Sequence, residues 1–521
     1  KAGFPDVAKP ILLSELTTEQ NVAEIAYYLG NTYFLENDFD NAANYFAKGI
    51  VADPGYPFNE IGQAMLTMKS TPIKEMDAKI KAIINNKAYK AYKKNPQLYV
   101  AIAYAYLYNE LNNKALEYQA KAKSFGSKTP EVYIVWGDIL EKSDIGQACG
   151  YYETATLYDP NCTEAYIKFA RAYKSVNANL AIGKLTELKN KDAAFVLADR
   201  ELGDIYYFTK EFGKAAEYYG SYLESGNITN VEDLIRYSMA LYWNGDYQKS
   251  LDVTSLGIAK SPRNPVLNRF LLYNYTELKQ YDKALIAANN LFNNSDGAKI
   301  QYFDYRYNAV ALKELQQIEL AAAAYAKALE LDPAHVELWK EMSDMYKNVK
   351  DYPNAVNAYN KYMASTNEEK DLINQTFALG NLYYTWGKDT LVTPEIRILA
   401  EQKADSIFGV YAEKNAVDYR GNFWRARANL AIEQIEKTNG LAKKYYELTA
   451  TFCEEKNDTR YNSVIIECYS YLASYYFNMQ DAKTSLEYFN KILVIDPNHE
   501  KAKVSATYIE EELKKLKSGK K

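Results

Sequence analysis

The sequence has little of the side chain that most often carries catalysis or binds transition metals. Only two histidines, His335 and His499, occur in 521 residues, and each stands two residues after an Asp-Pro pair. The shared setting leaves two interpretations open. Either the two histidines lie together as a catalytic or metal-binding pair, or the same local structural motif occurs at two separate places in the chain.

Cysteine is also scarce, and four in a chain of this length do not make a disulfide framework. Cys149 and Cys162 would flank one helix, which separates their Cα atoms by roughly 15–20 Å, beyond disulfide reach. Cys453 and Cys468 lie on either side of a turn and at different distances from it. The sequence leaves open whether they form a disulfide bridge. The cysteines therefore do not fix the cellular compartment.

Long apolar runs and an excess of one charge are absent too. No run approaches the ~20 apolar residues of a membrane-spanning helix. The net charge is −5, from 62 basic and 67 acidic residues that are mixed along the chain. Because nucleic-acid binding normally requires a basic face, the sequence predicts no nucleic-acid partner and no transmembrane segment.

Sequence signatures of nucleotide and hydrolytic chemistry are missing. Gly213-Lys214 and Gly387-Lys388 precede Ala and Asp, whereas a phosphate loop requires Ser or Thr there. Cys-x-x-Cys, His-Glu-x-x-His and Gly-x-Ser-x-Gly do not occur. Acidic residues on helices mostly lie on solvent-exposed faces. We therefore predict no catalytic residue, no metal site, no cofactor and no enzymatic activity.

Tyrosine, in contrast, is abundant: there are 50 tyrosines against 19 phenylalanines and five tryptophans. A tyrosine ring is apolar along its face and polar at its tip, which suits half-buried positions between helices. Most of these tyrosines are therefore expected to fill the seams between helices.

The chain is organised by an internal repeat of two helices. Its clearest copy has two apolar stripes at helical spacing, namely Ala26, Leu29, Gly30 and Tyr33, then Ala42, Phe46 and Gly49. Asn37 and Asp38 interrupt the stripes, and Pro54 ends the second one. The layout recurs near residues 302, 336 and 466, where the matching positions include Ala309, Leu312, Ala321, Tyr325, Trp339, Tyr346, Tyr469 and Phe489.

This pattern resembles the tetratricopeptide repeat, a unit of about 34 residues with Leu-Gly and Tyr on its first helix and Ala, Phe and Pro on and after its second. Small residues at the Gly30 and Ala42 positions let the two helices approach closely. Bulky residues such as Tyr33 and Phe46 fill the seam. The resemblance implies an all-α fold, a right-handed α-solenoid (superhelix) of tandem helix-turn-helix repeats.

Roughly thirteen helix pairs are predicted to cover the chain. The clear units begin near residues 23, 96, 130, 163, 196, 231, 265, 302, 336, 373, 421 and 466, and a degenerate unit fills 57–93. We predict an extended N-terminal segment at 1–22, an N-terminal arm at 23–384, a C-terminal arm at 385–498 with an insertion at 385–395, and a capping helix and tail at 499–521. Pro394 is the expected start of a longer helix.

The repeat decides between the two interpretations of the histidines. His335 follows Pro333 and His499 follows Pro497, so both lie where one repeat ends and the next helix begins. Equivalent positions several units apart do not meet. Both histidines are therefore predicted to be structural.

The first residue printed is Lys1 rather than methionine. We expect export to the bacterial periplasm or cell envelope after removal of a signal peptide, with a cytoplasmic location as the alternative.

A protein or peptide partner is what the family resemblance implies, held in the concave groove that the first helices line. Arginine and aromatic residues are common at interface hot spots. At the inner positions of the central repeats we predict a partner-binding groove from Arg200, Asp204, Tyr207, Phe208, Tyr242, Trp243, Arg269, Tyr273 and Arg306. The alternative is that these side chains only pack and solvate the inner wall.

The sequence is compatible with three hypotheses about function. The leading hypothesis is a non-enzymatic scaffold that binds a protein or peptide in its groove. The second is a carbohydrate or small-ligand protein in which Trp243, Tyr242 and Tyr207 stack on the ligand. The third, an enzyme with a site near 385–395, has the least support.

Overall fold

Helices form all the regular structure in the residues that the computed structural model describes, which are 4–18, 20–226, 230–365 and 369–517. The predicted all-α repeat fold is confirmed over these ranges. Residues 1–3 and 19 of the predicted N-terminal segment and residues 518–521 of the predicted tail lie outside them.

The chain divides into two units, residues 1–299 and 300–521. The first unit has an N-terminal helix followed by helix pairs. Its helices are α1 (Pro5–Glu15), α2 (Val22–Leu35), α3 (Phe39–Ala52), α4 (Phe58–Thr67), α5 (Ile73–Asn85), α6 (Pro96–Tyr108), α7 (Asn112–Phe125), α8 (Pro130–Leu140), α9 (Ile145–Tyr158), α10 (Thr163–Tyr173), α11 (Ala178–Lys191), α12 (Leu197–Phe208), α13 (Phe212–Glu224), α14 (Val231–Trp243), α15 (Tyr247–Lys260), α16 (Pro265–Glu277) and α17 (Tyr281–Asn289).

The second unit repeats the arrangement and ends on a single helix. Its helices are α18 (Tyr302–Glu314), α19 (Ile318–Leu331), α20 (Glu337–Asn348), α21 (Tyr352–Ala364), α22 (Glu369–Lys388), α23 (Pro394–Lys414), α24 (Arg420–Glu436), α25 (Lys443–Lys456), α26 (Asn462–Asn478), α27 (Ala482–Ile495) and α28 (Glu500–Lys517). The predicted unit starts at 130, 265 and 302 coincide with helix starts, whereas the one at 466 falls inside α26.

In five of the helix pairs, a short polar side chain caps the second helix. The side chain of Asp38 accepts a hydrogen bond of 3.2 Å from the backbone N–H of Asn41, which caps α3. Asp144, Asn177, Asp351 and Asp481 cap the equivalent helices in the same way. Such caps satisfy backbone donors that have no partner inside the helix, so a short polar residue starts the second helix in these repeats.

Close helix approach within a pair depends on glycine. Phe46 is fully buried, and a methyl group on Gly30 of α2 would lie 2.3 Å from its ring. A methyl group on Gly62 of α4 would lie 2.4 Å from the same ring, so Phe46 also packs against the next repeat. The relationship recurs between Gly137 and Tyr152, Gly203 and Tyr219, and Gly380 and Phe408. The predicted roles of Gly30 and Phe46 are confirmed.

Tyrosines stack in equivalent places along the chain. The rings of Tyr33 and Tyr45 lie 5.3 Å apart and are inclined by 8°. Pairs at the same sequence spacing stack in three other repeats, namely Tyr106–Tyr118, Tyr206–Tyr218 and Tyr476–Tyr488. Each pair joins the two helices of one repeat, as expected for tyrosine in a half-buried seam.

Both histidines have local structural contacts. The ring of His335 stacks on Tyr302 with 3.9 Å between centroids, and its Nδ1 lies 2.8 Å from a carboxylate oxygen of Glu337. Nδ1 of His499 accepts a 3.2 Å hydrogen bond from the N–H of Ala502, at the start of α28. They lie at two separate repeat joins, as predicted.

The N-terminus differs from expectation, since residues 5–15 form a helix rather than an extended segment. Pro5 occupies the first turn, where its missing N–H costs no hydrogen bond, and Asp6 favours the positive end of the helix dipole. Pro10 lies inside the helix and weakens it. Contacts with the inner helices described below compensate for that weakness.

Two other expectations are resolved in the second unit. Helix α22 runs on to Lys388, so the first residues of the predicted insertion are helical, and α23 starts at Pro394 as predicted. Cys453 and Cys468 are free thiols, as are the other two cysteines. The predicted boundary between arms at 384 and 385 stays a prediction.

Within the described residues, each helix is either too short or too polar to cross a lipid bilayer.

Candidate functional site

The candidate site is the inner face of the first unit, where the first helices of successive repeats lie side by side and α1 lies against them. Three side chains of the N-terminal segment make the specific contacts: Phe4, Asp6 and Lys9. Their partners come from repeats far apart in the sequence, with Glu36 at one end and Asn230 at the other. The chain thus places a peptide of its own on the surface where the family resemblance implies a partner.

Phe4 is the anchor of this contact and is 6% exposed. The guanidinium carbon of Arg171 lies 4.4 Å from the centroid of its ring, and that of Arg200 lies 5.3 Å away. Guanidinium groups at this distance are attracted to the negative face of an aromatic ring, more strongly when water is excluded. The two arginines therefore form an aromatic-binding cleft.

Carboxylates on neighbouring helices hold both arginines in place. Arg171 of α10 donates two hydrogen bonds to Glu201 of α12, at 3.0 and 2.6 Å. Nε of Arg200 donates to Asp233 of α14 at 2.8 Å. Burial lowers the pKa of Arg200, but the charges of Asp233 and Asp6 outweigh it and raise the pKa. Carboxylates of the repeats thus fix the position of both guanidinium groups.

Asp6 supplies the anion of the docked helix. Its carboxylate lies 3.2 Å from Nη2 of Arg200 and accepts a 3.0 Å hydrogen bond from the side-chain amide of Asn230. Burial raises the pKa of Asp6, but the hydrogen bond from Asn230 and the charge of Arg200 together lower it below its usual value. The cleft therefore favours an ionised carboxylate two residues after the aromatic ring.

A cavity of about 670 Å³ remains between α1 and the inner helices. Ala8, Ile11 and Leu12 of α1 face it from one side. Its opposite wall is rich in tyrosine and includes Tyr27, Tyr28, Tyr56, Tyr92, Tyr104 and Tyr108. Burial raises the pKa of Tyr27 to about 12, although a hydrogen bond with Asn31 opposes the shift. The wall is therefore aromatic, with Glu24, Glu131, Glu164 and Lys168 as the charged residues of the cavity lining.

Lys168, one of the residues that line this cavity, is held by the carboxylate of Asp138. Asp138 accepts hydrogen bonds from Tyr104 at 2.8 Å, from Tyr152 at 2.7 Å and from Lys168 at 2.7 Å. Burial lowers the pKa of Lys168, but the charges of Asp138 and Glu164 outweigh it and raise the pKa. Lys168 is therefore a fixed cation that also lines the cavity.

Arg200 and Asp204 of the predicted groove both lie on α12 and both have partners. Arg200 contacts the docked helix as described. Asp204 accepts hydrogen bonds from Arg236 at 3.0 and 3.2 Å and another from the hydroxyl of Tyr219. Two arginine–carboxylate pairs thus join α12 to α14.

The predicted aromatic residues fall into two groups. Trp243 and Phe208 are 50% and 52% exposed, so they are open to a ligand. Tyr207 contacts Phe212 edge-on. Tyr242 is only 5% exposed and packs on aromatic neighbours, Trp243, Tyr247, Phe270 and Tyr273. The predicted patch therefore offers a smaller aromatic surface than the sequence indicates.

The last three predicted residues are mainly engaged within the fold. Arg269 is 9% exposed and donates a 2.8 Å hydrogen bond to the backbone carbonyl of Lys299. Tyr273 is buried beside Tyr242. Arg306 belongs to the second unit, where it pairs with Glu341 at 3.1 Å. That these nine residues bind a partner stays a prediction.

Sequence reasoning missed Phe4, Asp6 and the cleft arginine Arg171. Part of the signal was present, because Pro5 and Asp6 after Phe4 form a recognisable helix start. The tyrosine cavity gave no signal, since a tyrosine in a seam and one on a cavity wall follow the same spacing. Among the described residues, no cluster of three or more His, Cys, Asp or Glu side chains has the grouping of a metal site.

Comparison with protein families identifies one unit directly. The family model described as "Tetratricopeptide repeat" matches residues 309–335, which run from α18 through α19. Its helix-turn-helix layout is the one that recurs in the other helix pairs. No curated protein matches the chain.

Several solved structures are similar to the chain. The C-terminal part of a TPR repeat-containing protein from Cytophaga hutchinsonii is 26% identical, with 52% of this chain and 98% of that chain covered and a TM-score of 0.37. A tetratricopeptide repeat protein from Parabacteroides merdae is 16% identical, with 48% and 98% covered and a TM-score of 0.33. PilF of Pseudomonas aeruginosa is 15% identical, with 44% and 99% covered and a TM-score of 0.34.

Proposed function

Because the chain is built from tetratricopeptide repeats, we propose that it is a non-enzymatic scaffold that binds a protein partner on the inner face of its first unit. The observation that carries this proposal is the docked helix α1. The ring of Phe4 contacts two arginine guanidinium groups, and the carboxylate of Asp6 binds Arg200 and Asn230. Helix α1 is thus a helical segment bound on this face. The inner face thus has the chemistry of a peptide-binding surface.

Photo-crosslinking tests this proposal without disturbing the fold. A photoreactive amino acid replaces Tyr28, on the cavity wall, in the full-length chain expressed in its source cells. Leu157, which is 76% exposed on α9, is the matched control on a second helix. We expect Tyr28 to crosslink a defined protein that the Leu157 position does not. Equal yields at both positions, or none at Tyr28, would argue against the proposal.

A small-molecule ligand is the second candidate, and the tyrosine cavity favours it over the Trp243 patch. Its volume of about 670 Å³ falls within the range of small-ligand sites, whereas Tyr242 is too buried to offer a ring face to a sugar. A thermal shift with an oligosaccharide panel tests this candidate. Stabilisation by a sugar that is lost in the Tyr28→Ala variant would support a ligand in the cavity. If none of the sugars stabilised the protein, a carbohydrate ligand would be ruled out.

A further inference from the structure

The docked helix α1 has the features of a weak occupant. None of its residues from Pro5 to Glu15 is buried, so Phe4, just before the helix, is its only buried anchor. Its N-cap makes no side-chain hydrogen bond and Pro10 interrupts its interior. A helix of this length has marginal stability in water, and an internal proline lowers that stability further.

The fit between α1 and the groove is also incomplete. Helix α1 contacts α2, yet a partly open cavity of about 670 Å³ lined by the tyrosine side chains remains beside it. The side chains of α1 that face it include Ala8, which is small, and Leu12. A helix with larger apolar side chains at these two positions would bury more of the tyrosine surface.

The anchor contacts define what such a helix must carry. Arg171 and Arg200 require an aromatic ring, and Arg200 with Asn230 requires a carboxylate two residues later. Glu201 and Asp233, which hold the arginines, belong to the repeats themselves and not to α1. The cleft is therefore preorganised for a ligand of this chemistry.

We propose that this cleft binds a helical segment of a partner protein, with an aromatic residue just before the helix and an acidic residue two positions later, and that α1 is its resident competitor. The proposal rests on the proposed function and specifies the partner's chemistry. A second copy of this chain is the less favoured occupant. Its α1 leaves the same cavity unfilled, and the short connection over residues 16–21 gives each chain's own α1 the advantage of high effective concentration.

Peptide binding to the full-length chain tests the proposal. The probe is a fluorescent peptide of residues 4–16 with Ala8→Phe and Pro10→Ala, which restores a continuous helix and fills the cavity. The chain carries Phe4→Ala and Asp6→Lys to weaken its resident helix, and Asp40→Lys, on the exposed start of α3, is the matched charge control. We expect the peptide to bind the weakened chain at least about tenfold more tightly than the control chain, because the tethered competitor is lost.

Peptide variants keep the test independent of protein folding. Phe4→Ala or Asp6→Lys in the peptide should abolish binding, and adding the unmodified probe to the wild-type chain should speed amide hydrogen exchange in α1. Binding that ignores both peptide changes, or equal binding to both chains, would overturn the proposal. So would dimerisation of the wild-type chain by exchange of α1, which keeps both anchor residues. If crosslinking at Tyr28 still captured a partner, only this inference would fail and the proposed function would stand.

Discussion

Phe46 fills the space that Gly30 leaves on the facing helix, so closely that a methyl group at Gly30 would lie 2.3 Å from its ring. Phe46 is fully buried and also contacts Gly62 of the next repeat. One ring therefore holds two helices of its own repeat together and joins them to the following repeat. The absence of a side chain at Gly30 is a packing requirement.

Replacing Gly30 by alanine should therefore destabilise the protein by about 1–3 kcal/mol, the usual cost of overpacking a core. Gly183 of α11 is the matched control, since a methyl group there would contact nothing within 4 Å. Gly183→Ala should stabilise by up to about 1 kcal/mol through helix propensity. Urea denaturation followed by circular dichroism measures both changes, and equal effects of the two substitutions would contradict this account of Gly30.

A buried carboxyl in the second unit makes stability depend on pH. Glu401 of α23 is fully buried and neither side-chain oxygen has a hydrogen-bond partner among the described residues. Burial raises its pKa to about 8, although the charges of Lys388 and Arg397 oppose the shift. The folded state therefore keeps a proton that the unfolded state releases above pH 4.5.

The free energy of unfolding should fall through this group as pH rises from about 4.5 to about 8, by about 1.4 kcal/mol per pH unit at most. Glu401→Gln should remove that slope and stabilise the protein more at pH 8 than at pH 5. Glu413, exposed on the same helix, is the control, and Glu413→Gln should change stability by less than about 0.5 kcal/mol. Denaturation curves at pH 5 and pH 8 measure the difference. If the Glu401→Gln substitution raised the free energy of unfolding equally at both pH values, Glu401 would be ionised in the folded state at both.

The tyrosines should titrate at unusually high pH. Burial raises the pKa of Tyr27, Tyr118 and Tyr359 to about 12, from 10.0. Because the folded state disfavours the tyrosinate, stability is retained below pH 10 and is lost as pH rises from about 10 to 12. Tyrosinate absorbance should therefore rise later in the native protein than in guanidinium chloride. Superimposable curves would contradict the burial of these rings.

The four thiols should be free and slow to react. Burial raises the pKa of Cys453 and Cys162 to about 11, and the thiolate is the reactive form. We expect slow labelling by a disulfide reagent in the native protein and four equivalents after denaturation. Two equivalents under non-reducing conditions would indicate a bridge between Cys453 and Cys468.

The features that the sequence predicted well are local. The spacing of Gly30, Tyr33 and Phe46 is visible within one repeat because each contact joins residues of adjacent helices. The start of α23 at Pro394 was predictable for the same reason, since a proline in the first helical turn is a short-range signal.

The docking of α1 could not be predicted in this way. Asp6 and Arg200 are 194 residues apart, and a periodic pattern carries no information about contacts across that distance. The inner-face prediction was incomplete for a related reason. A side chain on the first helix of a repeat can pack against a neighbouring repeat, as Tyr242 and Tyr273 do, or line the groove. The sequence pattern is the same in both cases.

The stacked tyrosine pairs have a consequence for observing this protein. Tyr33–Tyr45, Tyr106–Tyr118, Tyr206–Tyr218 and Tyr476–Tyr488 place two chromophores in fixed orientation within individual repeats. Each such repeat therefore carries its own near-ultraviolet dichroic signal, without any introduced label. Replacing one tyrosine of a pair with phenylalanine would remove the contribution of that pair, so the difference between the wild-type and variant spectra on heating follows the melting of that repeat.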